Sequence, residues 1–336
     1  MTADIAKKIL QEQIAKIGDQ YEAFEVQFMG GEPLLNFSVI KDVSEWLWSV
    51  SWEKKLLTIF APTNGTLLTR EMRRWFSTNK ARICLGLSFD GNSIMQNRNR
   101  SSSAPRIDLS FFASNWPEQS VKLTISPETI GSLFEGVRSL WDNGFVTVAA
   151  DLAMGSSIPW TSSHLTMFRD ELRKFVDYFA NENNTVHQFS MMSIPVLSLS
   201  DKKRSYSGKQ CHCGEDLVCI DINGAEYPCH LFSPVSITDT KRIEGIKSIV
   251  FSNHDAFNMN PCRDCYLNPI CTVHCYGMNY KSYGSVSHNS PFHCHAFKLL
   301  FVENCRLQYL LAKRSGHTDV LTKLNELINQ INHKHE

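Results

Sequence analysis

Cys262-Arg263-Asp264-Cys265-Tyr266-Leu267-Asn268-Pro269-Ile270-Cys271-Thr272-Val273-His274-Cys275 sets four thiols at the spacing C-x2-C-x5-C-x3-C. Cys294 follows this run, and Cys213-x5-Cys219-x9-Cys229 precedes it. Thiols at this density ask for a metal. Thiolate sulfur is a soft donor, and four around one site suit either an iron-sulfur cluster or a tetrahedral zinc. Spacing does not separate the two, because C-x2-C is also a zinc spacing.

The remaining cysteines have blander readings. Cys84 falls in a strand and Cys305 on the terminal helix, where a buried thiol acts as a small hydrophobe. Cys211 stands two residues from Cys213 and could take its place. His212, His230, His274, His293 and His295 crowd the same region, and with so many thiols available they are expected around the ligands or at the surface.

The 336 residues are 43% hydrophobic and 20% charged, enough for two domains with a sizeable core. Lys plus Arg equals Asp plus Glu at 34 each, so no net field draws the chain to nucleic acid or to anionic lipid. No run of about 18 apolar residues occurs, and the N-terminus reads as an amphipathic helix, so a cytoplasmic chain with no membrane partner is expected. Of eleven cysteines only Cys84 precedes residue 210. In a reducing compartment that clustering argues for metal ligation over disulfides.

Residues 1–195 alternate strand-like and helix-like segments, the pattern of a βα-repeat domain with a parallel sheet. Strands are expected from Phe24 through Val26 and Phe28, then at 57–61, 83–89, 121–125 and 146–152, with a further one at 187–192. Apolar stripes at helical spacing run through Val39, Ile40, Val43, Trp46, Leu47 and Val50, and through Ile130, Leu133, Phe134, Val137, Leu140 and Trp141, where Gly144 acts as a stop. A third, with Ser162 or Ser163 as its N-cap, runs from Leu165 to Phe179. Residues 201–210 read as a polar, basic linker, and helical periodicity returns over 296–333.

At the expected strand ends stand Met29-Gly30-Gly31-Glu32-Pro33, Thr63-Asn64-Gly65-Thr66, Ser88-Phe89-Asp90-Gly91 and Thr124-Ile125-Ser126-Pro127-Glu128. This is where α/β proteins place ligands. Glycines let a backbone approach a ligand, and the Glu32 carboxylate can face an ammonium. Each motif alone is equally a turn or a packing glycine.

The cysteine pattern resembles the SPASM signature, C-x(9-15)-G-x4-C, then C-x2-C-x5-C-x3-C, then a further cysteine, with Cys213, Gly224 and Cys229 matching its first half. The strand-end motifs, in that order, resemble those of radical S-adenosylmethionine (SAM) enzymes. The resemblance covers residues 1–300. It implies a partial (β/α) radical SAM barrel at 1–200, a small SPASM-like domain at 201–300 with two auxiliary [4Fe-4S] clusters, and a C-terminal helical segment at 301–336. One cluster would be held by Cys213, Cys219, Cys229 and Cys275, the other by Cys262, Cys265, Cys271 and Cys294. SAM would be contacted by Gly30, Gly31, Glu32, Pro33, Asn64, Ser88, Asp90 and Ser126.

Two departures stand out. No C-x3-C-x2-C, the motif that in such enzymes holds the SAM-cleaving cluster, occurs in the chain. The expectation is that a first strand and that cluster loop are missing, leaving an unpaired sheet edge. Gln96-Asn97-x2-Arg100 stands where relatives show His-Asp-x2-Arg.

The function implied is modification of a peptide or protein substrate, mostly ribosomal precursors, through a 5′-deoxyadenosyl radical, fed by a reductase or ferredoxin-type donor. In the anaerobic sulfatase-maturating branch an Asp follows the cysteine matched by Cys229; here it is His230, which favours other peptides. The rival reading is a non-catalytic iron-sulfur protein or partner subunit.

Overall fold

The computed structural model describes residues 1–18, 20–52, 55–181, 186–200, 211–252, 262, 265–273, 275–288 and 290–333. The linker expected at 201–210 and His274 lie outside them. The chain falls into two compact units: Met1–Thr124 with Gly136–Ala149 and Ile220–Glu226, and Ile125–Glu135 with Ala150–Cys219 and Tyr227–Glu336.

The elements are α1 (Ala3–Ala15), β1 (Ala23–Gln27), α2 (Phe37–Leu47), β2 (Leu56–Thr63), α3 (Arg70–Thr78), β3 (Cys84–Leu87), α4 (Ser93–Asn99), α5 (Leu109–Asn115), β4 (Val121–Ile125), α6 (Leu133–Asp142), β5 (Thr147–Leu152), α7 (Ser162–Asn181) and β6 (Gln188–Phe189). There follow β7 (Cys219–Ile220), β8 (Glu226–Tyr227), α8 (Thr240–Ile246), α9 (Tyr276–Tyr283), α10 (Pro291–Ser315) and α11 (Thr318–His333). This is a mixed α/β fold whose first half alternates strand and helix as expected.

In the first unit β1, β2 and β3 pair in parallel, with Phe24 opposite Leu57 and Phe60 opposite Cys84. A parallel bridge from Ser88 to Lys122 continues the ladder into β4. Strands β4, β5 and β6 form a second sheet in that order. Among the described residues β1 pairs only with β2, so it is a sheet edge. Along β4, Val121, Leu123 and Ile125 are buried while Lys122 and Thr124 are exposed, the period-2 pattern that made this strand legible.

Side-chain caps start several helices. Thr2 accepts from Ile5 N, Thr69 from Met72 N, Asn92 from Ile94 N and Met95 N, and Asp108 from Phe111 N. Lys7 pairs with Asp42 at 2.8 Å, tying α1 to α2.

In the second unit α7 packs on α10. Phe168, Leu172, Phe175 and Val176 are fully buried on α7, each contributing about 1.5–3 kcal/mol. Packing rather than propensity therefore holds this helix.

Three expectations shift. Helix α7 begins at Ser162, so the expected cap residues are already helical and Thr161 precedes them. The helix expected from Ile130 opens as a 3-10 turn, Ile130–Ser132, before α6. The strand expected over 187–192 shrinks to β6 and gives way to a 3-10 turn, Ser190–Met192.

Asn304, 1% exposed on α10, explains the last of these. Its Oδ1 accepts from Ile194 N at 3.1 Å and its Nδ2 donates to Met191 O at 2.8 Å. A side chain from far along the sequence supplies the hydrogen bonds that a longer strand would have found in a ladder. Replacing it, Asn304→Ala, leaves buried main-chain groups unpaired and is expected to cost about 1–3 kcal/mol in a denaturant melt; a loss below about 0.5 kcal/mol would contradict this role.

Candidate functional site

The segment around Cys271 folds as linked turns. Cys265 N donates to Cys262 O at 3.1 Å, Asn268 N to Cys265 O at 3.0 Å, and Cys271 N to Asn268 O at 3.2 Å. Leu267 and Ile270 point into the core. Cys294 sits in the first turn of α10, its N–H bonded to Ser290 O at 3.0 Å. Burial pushes the Cys271 thiol up to about 12; the Val273 N–H opposes this, while Cys265, Cys294 and Cys262 push the same way. Each of the three is thus within electrostatic reach of Cys271. Alone, such a group stays a neutral thiol at pH 7; a cationic metal group among the sulfurs would favour the thiolate and take it as a ligand.

A second group gathers elsewhere in the same unit. Gly214 N donates to Pro228 O at 3.2 Å, which fastens Cys213 beside Cys229. Both are buried in an apolar cluster with Phe232, Ile237, Ile246, Phe251, Tyr276 and Tyr280. A hydrogen bond with Cys213 leads in lowering the Cys229 thiol to about 7; burial opposes it, and the Leu231 and Phe232 N–H groups assist. That brings Cys229 close to its thiolate, the ligand form, at neutral pH.

Cys275 occupies the N-cap position of α9. A Cβ at Gly277 would come 2.6 Å from Leu231 Cβ and 3.3 Å from Cys229 Sγ. Glycine is therefore what lets Cys229 approach the turn that begins at Cys275. Burial raises the Cys275 thiol, the Met278 N–H lowers it, and Cys229 and Cys211 raise it further. Cys219 opens the hairpin β7–β8, whose turn is held by Asp221 Oδ1 accepting from Asn223 N and Ala225 N, with Gly224 at φ +83°.

Among the described residues no three His, Cys, Asp or Glu side chains are gathered so as to hold a metal ion.

At the strand ends, Glu32 joins two loops. Its Oε1 accepts from Leu34 N at 3.1 Å and from Thr63 Oγ1 at 2.8 Å, and its Oε2 from Asn64 N at 2.8 Å. Among the described residues one acceptor position on Oε2 is left over, the one that could face an ammonium. Ahead of it Gly30 and Gly31 are exposed, and a Cβ on either would meet nothing within 4 Å. Neither has positive φ. Packing and conformation thus do not demand glycine there. Asn64 Oδ1 accepts from Thr66 N, and Ser88 N bonds Thr63 O at 2.8 Å, so the loops from Gly30 to Ser88 are one connected set.

Asp90 has a different character. It is 1% exposed, and its carboxylate accepts from Arg100 Nε at 2.8 Å and Nη2 at 3.0 Å, from Thr124 N at 2.8 Å and from Asn99 Nδ2. Gln96 Oε1 accepts from Asp90 N at 2.7 Å. This network fixes the end of β3 against β4. It also gives Arg100 and Gln96 a structural part that the sequence comparison left open. Ser126 belongs to the second unit, where it and Thr129 share a turn, Ser126 N donating to Thr129 Oγ1 at 3.0 Å.

No family model matches the sequence, and no curated protein matches it. Solved structures do. A structure of native anSMEcpe with bound AdoMet matches at a TM-score of 0.68 and 15% identity, covering 97% of this chain and 91% of that one. The same protein with bound AdoMet and Cp18Cys peptide matches at 0.65 and 16%, covering 97% and 92%. Streptococcus suis SuiB bound to S-adenosylmethionine matches at 0.51 and 16%, covering 87% and 69%. At these identities the likeness establishes the fold, and the fold is the one implied by the resemblance to radical SAM enzymes with a SPASM domain.

Proposed function

We propose that this chain is a peptide-modifying maturase of the radical SAM/SPASM type that, in the residues given, lacks the C-x3-C-x2-C motif of the SAM-cleaving cluster. It holds two auxiliary [4Fe-4S] clusters, one on Cys213, Cys219, Cys229 and Cys275, the other on Cys262, Cys265, Cys271 and Cys294. It binds SAM along the loops of Gly30, Gly31, Glu32, Pro33, Asn64, Ser88, Asp90 and Ser126. What supports the reading is that Cys294 lies within electrostatic reach of Cys271, and Cys275 within reach of Cys229. That interleaving is what the resemblance requires, and a simple pair of local zinc knuckles would not need it.

Bound clusters supply one-electron transfer, and SAM is the source of a 5′-deoxyadenosyl radical once its sulfonium is reduced. The chain's own residues would position these groups. Gly30 and Gly31 leave room against the backbone, and Glu32 offers its remaining acceptor to the methionyl ammonium. Asp90 acts from behind, keeping the β3 end rigid through Arg100. The domain division at 1–200, 201–300 and 301–336 goes with this reading, although α10 runs unbroken through residue 300.

A peptide substrate is supported by the matching structures, which include anSMEcpe with Cp18Cys peptide and SuiB with precursor peptide SuiA. His230 beside Cys229 favours a precursor peptide over a sulfatase, against the higher TM-score to anSMEcpe. An electron donor of the reductase or ferredoxin class would complete the system. No helix among the described residues is long and apolar enough to cross a membrane. The second reading, a cluster-binding protein without SAM cleavage, is favoured by one observation, the lack of any C-x3-C-x2-C in these residues.

Anaerobic reconstitution with iron and sulfide should load about eight irons per chain and turn it brown, with no 5′-deoxyadenosine produced by the chain as given. Uptake of zinc alone, without colour, would reject the clusters. In calorimetric titration, Gly30→Val and Gly31→Val should weaken SAM binding at least about tenfold, or about 1.4 kcal/mol, with stability unchanged to about 0.5 kcal/mol. Unaltered affinity would move the SAM site elsewhere.

A further inference from the structure

Cys262, Cys265 and Cys271 share one short segment, whereas Cys294 reaches its place on the first turn of α10. Helix ends fray, so something must hold that turn. Ser290, at the N-cap position, makes no side-chain capping bond to the helix. Its hydroxyl instead lies 2.9 Å from His293 Nδ1, while its main-chain oxygen accepts from Cys294 N at 3.0 Å. His293 is 7% exposed, and its Nε2 lies 3.2 Å from Ala153 O. A carbonyl oxygen only accepts, so Nε2 is the donor.

Ala153 is a firm anchor. It directly follows β5, and its N–H donates to Ile125 O at the end of β4 at 2.8 Å. Its carbonyl oxygen also accepts from Trp160 Nε1 at 2.8 Å. Two ring donors, one from a loop and one from α10, therefore meet on a single main-chain oxygen. The rings pack on each other as well. Trp160 stacks on Phe292 with centroids 4.4 Å apart and 10° between the planes, and it meets His293 edge-on at 6.4 Å and 87°, both favoured aromatic geometries. All of these residues belong to the second unit.

Resting on the cluster reading above, we propose that His293 and Trp160 are positioning residues that register Cys294 against the end of β5 through their shared bond to Ala153 O. Neither touches iron. They act through Cys294, as the groups behind metal ligands do when they fix a ligand's direction. The cluster on Cys262, Cys265, Cys271 and Cys294 then depends on the clamp, and the cluster on Cys213, Cys219, Cys229 and Cys275 does not.

The test is release of iron to a chelator from the anaerobically reconstituted full chain at fixed pH. His293→Leu removes the donor, and His293→Gln keeps a donating amide. In His293→Leu about four irons should leave at least about tenfold faster than in the parent chain, the scale on which such supports act, while the rest leave at the parent rate. A leucine variant that loads only about four irons at the outset is the same result in stronger form. His293→Gln should match the parent. Trp160→Leu, altered on the loop side, should repeat the split independently of α10. Release at the parent rate in both leucine variants, acceleration of all the irons together, or a glutamine variant as labile as the leucine one overturns the positioning role and leaves the clusters in place. A parent chain that takes up no iron overturns the cluster reading itself.

Discussion

Like charges brought together out of water are unfavourable unless something of opposite sign sits among them, and that constraint governs the second half of this molecule. Cys271 shows it most plainly, a buried thiol whose ionisation is opposed by burial and by three further thiols around it. A neutral buried thiol by itself packs like any small apolar side chain; what sets Cys271 apart is the three further thiols within its electrostatic reach. A metal group with net positive charge converts the same geometry into a ligand set. The turns at Cys265, Asn268 and Cys271 and the first turn of α10 keep the main-chain groups of these cysteines bonded.

The strand-end loops solve a different problem. A carboxylate there must be ordered without being exhausted. Glu32 achieves this by sharing its oxygens among Leu34, Thr63 and Asn64 while keeping one position open. Asp90 is the contrasting case, a buried acid fully engaged by Arg100, Asn99 and Thr124. Two acidic residues at the ends of β1 and β3, the outer strands of the first sheet, thus play opposite parts, one offering an acceptor and the other holding the scaffold.

Much of the sheet was legible because period-2 burial leaves its mark on the sequence: β4 was read to the residue, and β1, β2, β3 and β5 to within a few. Strand β6 was overestimated because its continuation is decided by Asn304, remote in the chain and anonymous in any local pattern. The Asp90–Arg100 pair was equally hidden, since no helical or strand spacing links positions ten apart. The cysteines were visible as residues. Their grouping was not a matter of spacing, because Cys271 and Cys275 lie four apart yet answer to different neighbours.

Helix α10 spans much of the second unit. Its 25 residues reach about 38 Å at 1.5 Å per residue. Cys294 sits in its opening turn, Asn304 near its middle, and Arg314 near its end, where Nη1 donates to Ala180 O at 3.0 Å. A single rigid rod therefore joins a thiol of one candidate centre to the foot of α7. Trimming the polypeptide inside that rod would remove contacts that anchor the helix bearing Cys294, so the residues from 291 onward serve as a brace and not as a tail.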